Sequence, residues 1–430
     1  MQIYAASYVL PISSAPIAGG AIAVENGQIT AVGTVAELRA ASGAAVTDLP
    51  GCVIIPGLVN AHTHLELTHF PAWKVRKELD YLPRNYVQWI QQVVKIKRAL
   101  HPGELELSLR EGVRMSIESG TTAVGDILSD FHLVPLYGDS PLTGRLFLEA
   151  IGHDPMHCDL LLQKIEKTVG EMQGGLLPGT SPHTPHTVSA PLFKGLHELS
   201  RRLGIPKAVH LSETAEEAAF MHDTTGAIAE LLYPMAHWEQ YLPHPMRTTS
   251  TSYLDQLGVL DGSTLAIHAV HVTPADVAIL KERGVSVVLC PRSNQRLFVG
   301  CAPHHLLKAA GIPLALGTDS LASNDSLSLW DEIRYLQETA SDAFSAEELL
   351  VMATLGGARA LGIEKRTGSL EAGKRGDFLV FSGCAPSDGG SPYPSLLEKG
   401  RLEQVFIAGE SFPKPQSPTA ESRPDRRVQA

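Results

Sequence analysis

From residue 56 to about residue 320, short apolar runs alternate with stretches whose apolar residues recur at helical spacing. The apolar runs end near Val59, Gly125, Ala150, Ser181, His210, His268, Cys290 and Gly317. Helical patterns occupy residues 104–119, 159–172, 190–203, 273–283 and 301–310. Strands alternating with helices in this way predict an α/β protein built on a (β/α)8 TIM barrel. An open, doubly wound sheet is the rival. The barrel is preferred because polar groups recur after many different strands, and a closed barrel gathers those strand ends into one mouth.

The two ends of the chain have another pattern. Residues 19–24 and 28–33 flank Asn26-Gly27, which is a hairpin signal. Residues 376–381 and 404–409 also alternate as strands. Both termini are therefore expected to meet in one small β-sandwich, made from residues 1–55 and 368–412, around a barrel of residues 56–367. Residues 413–430 are rich in Pro, Ser and charge and are expected to form a disordered tail. Two long insertions carry aromatic side chains. Residues 66–100 hold Trp73, Tyr81, Tyr86 and Trp89, and residues 215–253 hold Tyr233, Trp238 and Tyr241. Loops at the C-terminal face of a barrel shape its pocket, so these two are expected to set specificity.

Composition narrows the classes. With 430 residues, 44% hydrophobic and 19% charged, the chain can bury a large core. A net charge of −11 argues against nucleic acid or an anionic membrane as partner. The five cysteines are scattered, form no CxxC pair and read as buried thiols in a reducing compartment. Neither a signal peptide nor a membrane-length apolar run is recognisable, so a cytoplasmic location is expected.

Four strand ends carry candidate chemistry. They read Asn60-Ala61-His62-Thr63-His64, His210-Leu211-Ser212-Glu213, Ala266-Ile267-His268-Ala269 and Gly317-Thr318-Asp319-Ser320. Residues two apart on a strand face the same way, so His62 and His64 can present both imidazoles to one centre. Alone, either would pass for an unrelated mouth histidine, His210 for a core histidine and Glu213 for a solvated carboxylate. Asp319 changes the balance, because a carboxylate after so apolar a strand needs a cation or donors. Three imidazoles and a carboxylate suit one divalent metal, zinc first, with iron(II), manganese or cobalt as alternatives. Glu213 is placed for proton transfer, and Asp319 can also hold the attacking water. His268 is placed to stabilise oxyanion-like charge, with His271 as its competitor. The predicted fourth strand has no lysine to bridge two metals, so a single ion is expected.

Three further residues are candidate substrate contacts. His183 either hydrogen-bonds substrate or is a loop histidine. Trp89, in the first aromatic insertion, is expected to line the substrate pocket. Asn294, in Cys290-Pro291-Arg292-Ser293-Asn294, either braces Asp319, touches substrate or belongs to a structural turn. Arg292 offers a charge there. Cys290 reads as a small buried residue, not a nucleophile.

Together these motifs resemble the amidohydrolase superfamily, in its branch of aminohydrolases and chlorohydrolases that act on nitrogen heterocycles. The match runs from Pro56-Gly57-Leu58-Val59-Asn60-Ala61-His62-Thr63-His64 to Gly368-Ser369-Leu370-Glu371-Ala372-Gly373-Lys374-Arg375-Gly376-Asp377. The resemblance implies one metal held by His62, His64, His210 and Asp319, with Glu213 and His268 in proton transfer and charge stabilisation. Leu65-Glu66-Leu67 and Tyr86-Val87-Gln88-Trp89-Ile90 are similar to members that deaminate aminodeoxyfutalosine, an adenine nucleoside with a benzoate-type group. The resemblance thus implies a small heterocyclic substrate and release of ammonia. Adenosylhomocysteine, methylthioadenosine, guanine and triazines are the other substrates it allows. A chlorohydrolase or amidohydrolase on the same site, or a non-catalytic binding protein, are the alternatives, and a homodimer is the expected assembly.

Overall fold

The computed structural model describes residues 1–386 and 390–412, so the tail expected over 413–430 lies outside the described residues. The chain opens with β1 (Gln2–Val9), β2 (Ile17–Ala18), β3 (Gly20–Glu25), β4 (Gln28–Thr34) and the long β5 (Ala45–Pro56). The β3–β4 hairpin turns where expected, with Glu25 opposite Gln28. Asn26 and Gly27 both take positive φ, 49° and 78°. A tight hairpin turn that follows strand twist requires this pair of left-handed residues, and Asn-Gly adopts it at least cost.

After Gly57 the chain enters eight parallel strands: β6 (Leu58–Thr63), β7 (Thr121–Leu128), β8 (Thr143–Ala150), β9 (Leu177–Pro182), β10 (Lys207–Leu211), β11 (Thr264–His268), β12 (Ser286–Leu289) and β13 (Leu314–Leu316). They pair in sequence order from β6 to β13. A bridge between Thr63 and Asp319 brings the first and last strands together, so the sheet closes into the expected barrel. Its interior is one apolar cluster that draws on every strand, including Val59, Ala123, Phe147, Ala208, Ile267, Val288 and Ala315, with Leu177 packed against it. Alternate residues, such as Val209, Leu211, Ala266 and Leu289, join the helix side chains Leu192, Leu196 and Leu280 in a second layer. Strands buried on both faces explain why they read as continuous apolar runs.

The helices Glu104–Glu118, Pro155–Glu171, Ala190–Leu203 and Pro274–Arg283 fall within a few residues of expectation. The fifth begins at His304 instead of Cys301, because Pro303 disfavours helical backbone before it. The first insertion folds into the helices Phe70–Arg76 and Tyr86–Arg98, and the second includes Ala215–Asp223 and Ser250–Gln256.

The chain then returns to the terminal sheet as β14 (Phe378–Ser382), β15 (Arg401–Ile407) and β16 (Glu410–Phe412). The order is β16-β15-β14-β5-β1-β3-β4, with β2 beside β1. Strand β5 makes the sheet continuous, pairing with β1 through Ile54 and with β14 from Val53 to Pro56. The expected unit of both termini is present as one continuous sheet. It curls until Ile22 and Ile29 share a core with Phe378 and Phe406. The last two rings stack 4.2 Å apart.

The cysteine expectation needs correction. Cys158, Cys290 and Cys384 are buried, but Cys52 is half-buried and Cys301 is exposed in the loop before the helix that begins at His304. No described helix is long and apolar enough to cross a membrane.

Closure has one steric condition. A Cβ on Gly317 would lie 2.7 Å from the His62 Cβ and 2.9 Å from the His62 carbonyl oxygen. Gly317→Ala is therefore expected to destabilise the fold by about 1–3 kcal/mol, the usual cost of overpacking. It should also lower metal retention. Denaturant unfolding and elemental analysis of the variant check both.

Candidate active site

The barrel mouth collects the predicted residues. β6 delivers His62, and His64 lies just past its last residue. β10 delivers His210, and Asp319 follows β13. Ring centroids are 5.0 Å apart for His62–His64 and for His62–His210, and 5.5 Å for His64–His210. One ring nitrogen from each of the three lies within 4.8 Å of the other two. Asp319 Oδ1 is 3.6 Å from His62 Nε2 and 3.8 Å from His64 Nε2. His62 Nε2 is buried with no hydrogen-bond partner. A buried orphan nitrogen facing a carboxylate and two more imidazoles is the donor set of a divalent-metal site.

The electrostatics agree. Burial lowers the His62 and His210 pKa values and takes His64 to about 3, so the imidazoles stay neutral and keep their lone pairs. Burial alone would raise the Asp319 carboxyl, but contact with His62 and the nearness of His64 and His268 hold it well below the ordinary range. Its oxygens are also braced. Ser293 Oγ and Ser323 Oγ each donate to Oδ2 at 2.8 Å, and the Ser320 N–H donates to Oδ1 at 2.8 Å. His210 Nδ1 lies 3.1 Å from the His183 carbonyl oxygen, which fixes its tautomer and leaves Nε2 for the centre.

Glu213 is buried, and burial is the main cause that raises its carboxyl to about 7. Its Oε1 lies 3.7 Å from His268 Nε2, and the Tyr86 side chain approaches the same carboxylate. His268 Nδ1 faces Asn294 Oδ1 at 2.9 Å, so Nε2 is the nitrogen turned to the site. By strand alternation His268 keeps step with Ala266, which packs in the helix layer. A φ of 72° at His268, followed by 50° at Ala269, turns the ring to the mouth instead. His271 is elsewhere, with Nε2 2.8 Å from the Val299 carbonyl oxygen. Asn294 does not brace Asp319: it meets His268, a contact outside the alternatives named for it, and Ser293 is the residue at Asp319.

A cavity of about 330 Å³ opens over the cluster. His183 and Trp89 line it, along with Tyr86, Ile90, Lys97, Glu149 and Ser320, and Asn294 is not among the lining residues. His183 Nδ1 pairs with Thr187 Oγ1 at 2.8 Å, and its ring sits 5.0 Å from that of His210. Trp89 donates Nε1–H to the Ala322 carbonyl oxygen at 2.8 Å, tying the first insertion to the loop after Asp319. Two larger hollows of about 480 and 450 Å³ contain none of the three clustered imidazoles, so size alone does not mark the reactive site.

A model of the amidohydrolase family matches residues 53–412. The chain belongs to the amidohydrolase family. It is 32% identical over 386 residues to the 5-methylthioadenosine/S-adenosylhomocysteine deaminase of Moorella thermoacetica, covering 86% of this chain and 83% of that protein. It is 32% identical over 353 residues to the aminodeoxyfutalosine deaminase of Deinococcus radiodurans, covering 80% and 81%. An adenosine deaminase from Xanthomonas campestris, solved with bound zinc, superposes with a TM-score of 0.78 at 28% identity, covering 95% of this chain and 92% of that one. This amidohydrolase therefore carries a metal site of its family, and it is a hydrolase acting on C–N bonds.

Sequence reasoning missed the support behind Glu213. Glu217 accepts the Ser212 N–H at 2.8 Å, the Glu213 N–H at 2.9 Å and the Ser250 hydroxyl. Ser212 has a φ of 51°, so this carboxylate holds a strained turn in place. The clue was available as a second acid four residues after Glu213, one helical turn on. Ser212 and Glu213 donate to different oxygens of Glu217, so Glu217→Gln sets an amide donor against one of these backbone N–H groups. It is expected to cost about 1–3 kcal/mol, as for a buried group left unsatisfied. It should also lower kcat with the metal retained. Thermal melts, elemental analysis and steady-state rates test the three parts.

Proposed function

We propose that this amidohydrolase is a metal-dependent hydrolytic deaminase of an adenine nucleoside that carries a 5′ substituent. The observation that carries the proposal is the position of Glu213, buried in the same cavity as the imidazole–carboxylate cluster with Oε1 3.7 Å from His268 Nε2. A group poised there can both take and give a proton near neutral pH. The family relatives support the substrate class, since 5-methylthioadenosine, S-adenosylhomocysteine and aminodeoxyfutalosine all appear in their names.

In this reading His62, His64, His210 and Asp319 would hold one divalent ion, with zinc supported by the Xanthomonas structure. When bound, the metal supplies a Lewis acid that brings the pKa of water to about 7. The protein's own groups do the rest. Glu213 takes a proton from the attacking water and delivers it to the ring nitrogen next to the reacting carbon. His268, whose ring is oriented by Asn294 so that Nε2 faces the site, stabilises the negative charge that grows on the attacking oxygen. The second water proton goes to the exocyclic amine, which leaves as ammonia, and a ring carbonyl remains. His183 is a candidate for reading the base edge. Trp89 and Ile90 offer an apolar wall for the 5′ arm.

Two arms are candidates for this wall. Aminodeoxyfutalosine is the one implied by the motifs after His64. 5-Methylthioadenosine or S-adenosylhomocysteine is the second reading, favoured by the Moorella relative. Ammonia release from these nucleosides and from adenosine decides between them. Chloride or carboxylate release from another heterocycle, with no ammonia from any aminopurine, would replace the deaminase reading.

Glu213→Gln keeps shape but cannot shuttle a proton. Turnover is expected to fall by about 10²–10⁴-fold with the metal retained. His268→Asn should also lose rate, and His271→Asn should be mild. Chelation should abolish activity, and restoration should need close to one equivalent of zinc per chain, read by titration against recovered rate.

A further inference from the structure

The cavity over the cluster holds charged groups that the deamination chemistry leaves unused. Glu66 and Lys97 pair at 2.7 Å. Glu66 is satisfied, since it also accepts the Ser129 hydroxyl at 2.6 Å and the Ser129 and Asp130 N–H groups at 3.3 and 3.4 Å. Lys97 Nζ has three N–H donors, and two are engaged, by Glu66 Oε1 and Ser129 Oγ. Glu149, next to last on β8, lines the cavity, and its carboxylate makes no hydrogen bond or ion pair to another described side chain. Burial pushes its carboxyl up to about 7, against the pull of the Lys97 ammonium. The wall thus presents an acceptor without a donor close to a donor without an acceptor.

Position adds to this. Glu149 sits opposite Ser181 in the β8–β9 ladder, and the His183 N–H donates to the Ala150 carbonyl oxygen at 3.1 Å. His183 therefore stands between Glu149 and His210. A purine whose reacting carbon faces the cluster puts its sugar on the far side of the base, one ring system away. An ammonium on the 5′ arm would satisfy Glu149 but would set a like charge beside Lys97. A vicinal diol satisfies both groups, because one hydroxyl can donate to Glu149 while an oxygen accepts from Lys97.

We propose that Glu149, together with Lys97, binds the 2′,3′-diol of the substrate's ribose and makes the enzyme selective for ribonucleosides. This inference rests on the deaminase reading above. Its test compares kcat/KM for ammonia release by zinc-loaded enzyme from adenosine, 2′-deoxyadenosine and 3′-deoxyadenosine. Wild-type enzyme is expected to lose about 10–100-fold on at least one deoxynucleoside, the scale of a hydrogen bond to a charged group. Glu149→Gln should lose a similar factor on adenosine and little more on that deoxynucleoside, so the preference collapses to within about 3-fold. Glu149→Ala should show the same collapse. A wild type indifferent to both hydroxyls overturns the assignment. So do variants that slow all three substrates equally, or that lose only the response to an ammonium-bearing arm such as that of S-adenosylhomocysteine. Absence of ammonia from every nucleoside, wild type included, overturns the deaminase reading itself.

Discussion

A carboxylate with little access to solvent sits at Asp319, on the floor of the cavity, and much of the barrel mouth is arranged around its charge. Left alone in such a place it would take up a proton. Here three imidazoles face it, two serine hydroxyls and a backbone N–H donate to it, and the residues around it close the barrel. The Asp319 N–H donates to the His62 carbonyl oxygen at 3.1 Å, and Thr63 Oγ1 donates to the Asp319 carbonyl oxygen at 3.0 Å. One residue earlier, Asn60 and Thr318 exchange side-chain and backbone bonds at 2.7 and 3.1 Å. Strand β13 has three residues and could not hold a seam unaided. Barrel closure and assembly of the proposed ligand set therefore depend on the same few hydrogen bonds.

Part of the backbone strain lies where the chemistry is. Ser212, His268, Ala269 and Asp319 all have positive φ without being glycine. Each such residue costs on the order of 1–3 kcal/mol and persists only where its surroundings over-determine it. Glu217 does this for Ser212, Asn294 fixes the ring of His268, and the serines fix Asp319. These residues turn side chains to the mouth that regular strand alternation would send elsewhere. Polar contacts behind the mouth hold these conformations.

Much of this was legible in the residues, for identifiable reasons. Strands buried on both faces leave long apolar runs, so β6 to β13 could be marked, and Asn26-Gly27 announces its hairpin. His62, His64, His210, Glu213, His268 and Asp319 stand at the ends of those runs and could be named as one constellation. What could not be read depends on neighbours distant in sequence. Ser293 and Asn294 are adjacent, and only the fold decides which meets Asp319 and which meets His268. Glu149 looks like an ordinary polar residue near a strand end until the Tyr86–Arg98 helix brings Lys97 beside it. Curling of the terminal sheet depends on β5 pairing with β1 and β14 at once, which no local pattern announces.

The seam between β6 and β13 also has a consequence for how the enzyme is made. His62 and His64 leave the ribosome early, and Asp319 follows more than half the chain later. Until Asp319 emerges, β6 has an open edge and its two imidazoles, joined only by His210, lack the carboxylate that completes the proposed set. A nascent chain therefore offers only a partial, weakly chelating group. Tight metal capture becomes a late event in synthesis, available to chains that have closed the ring.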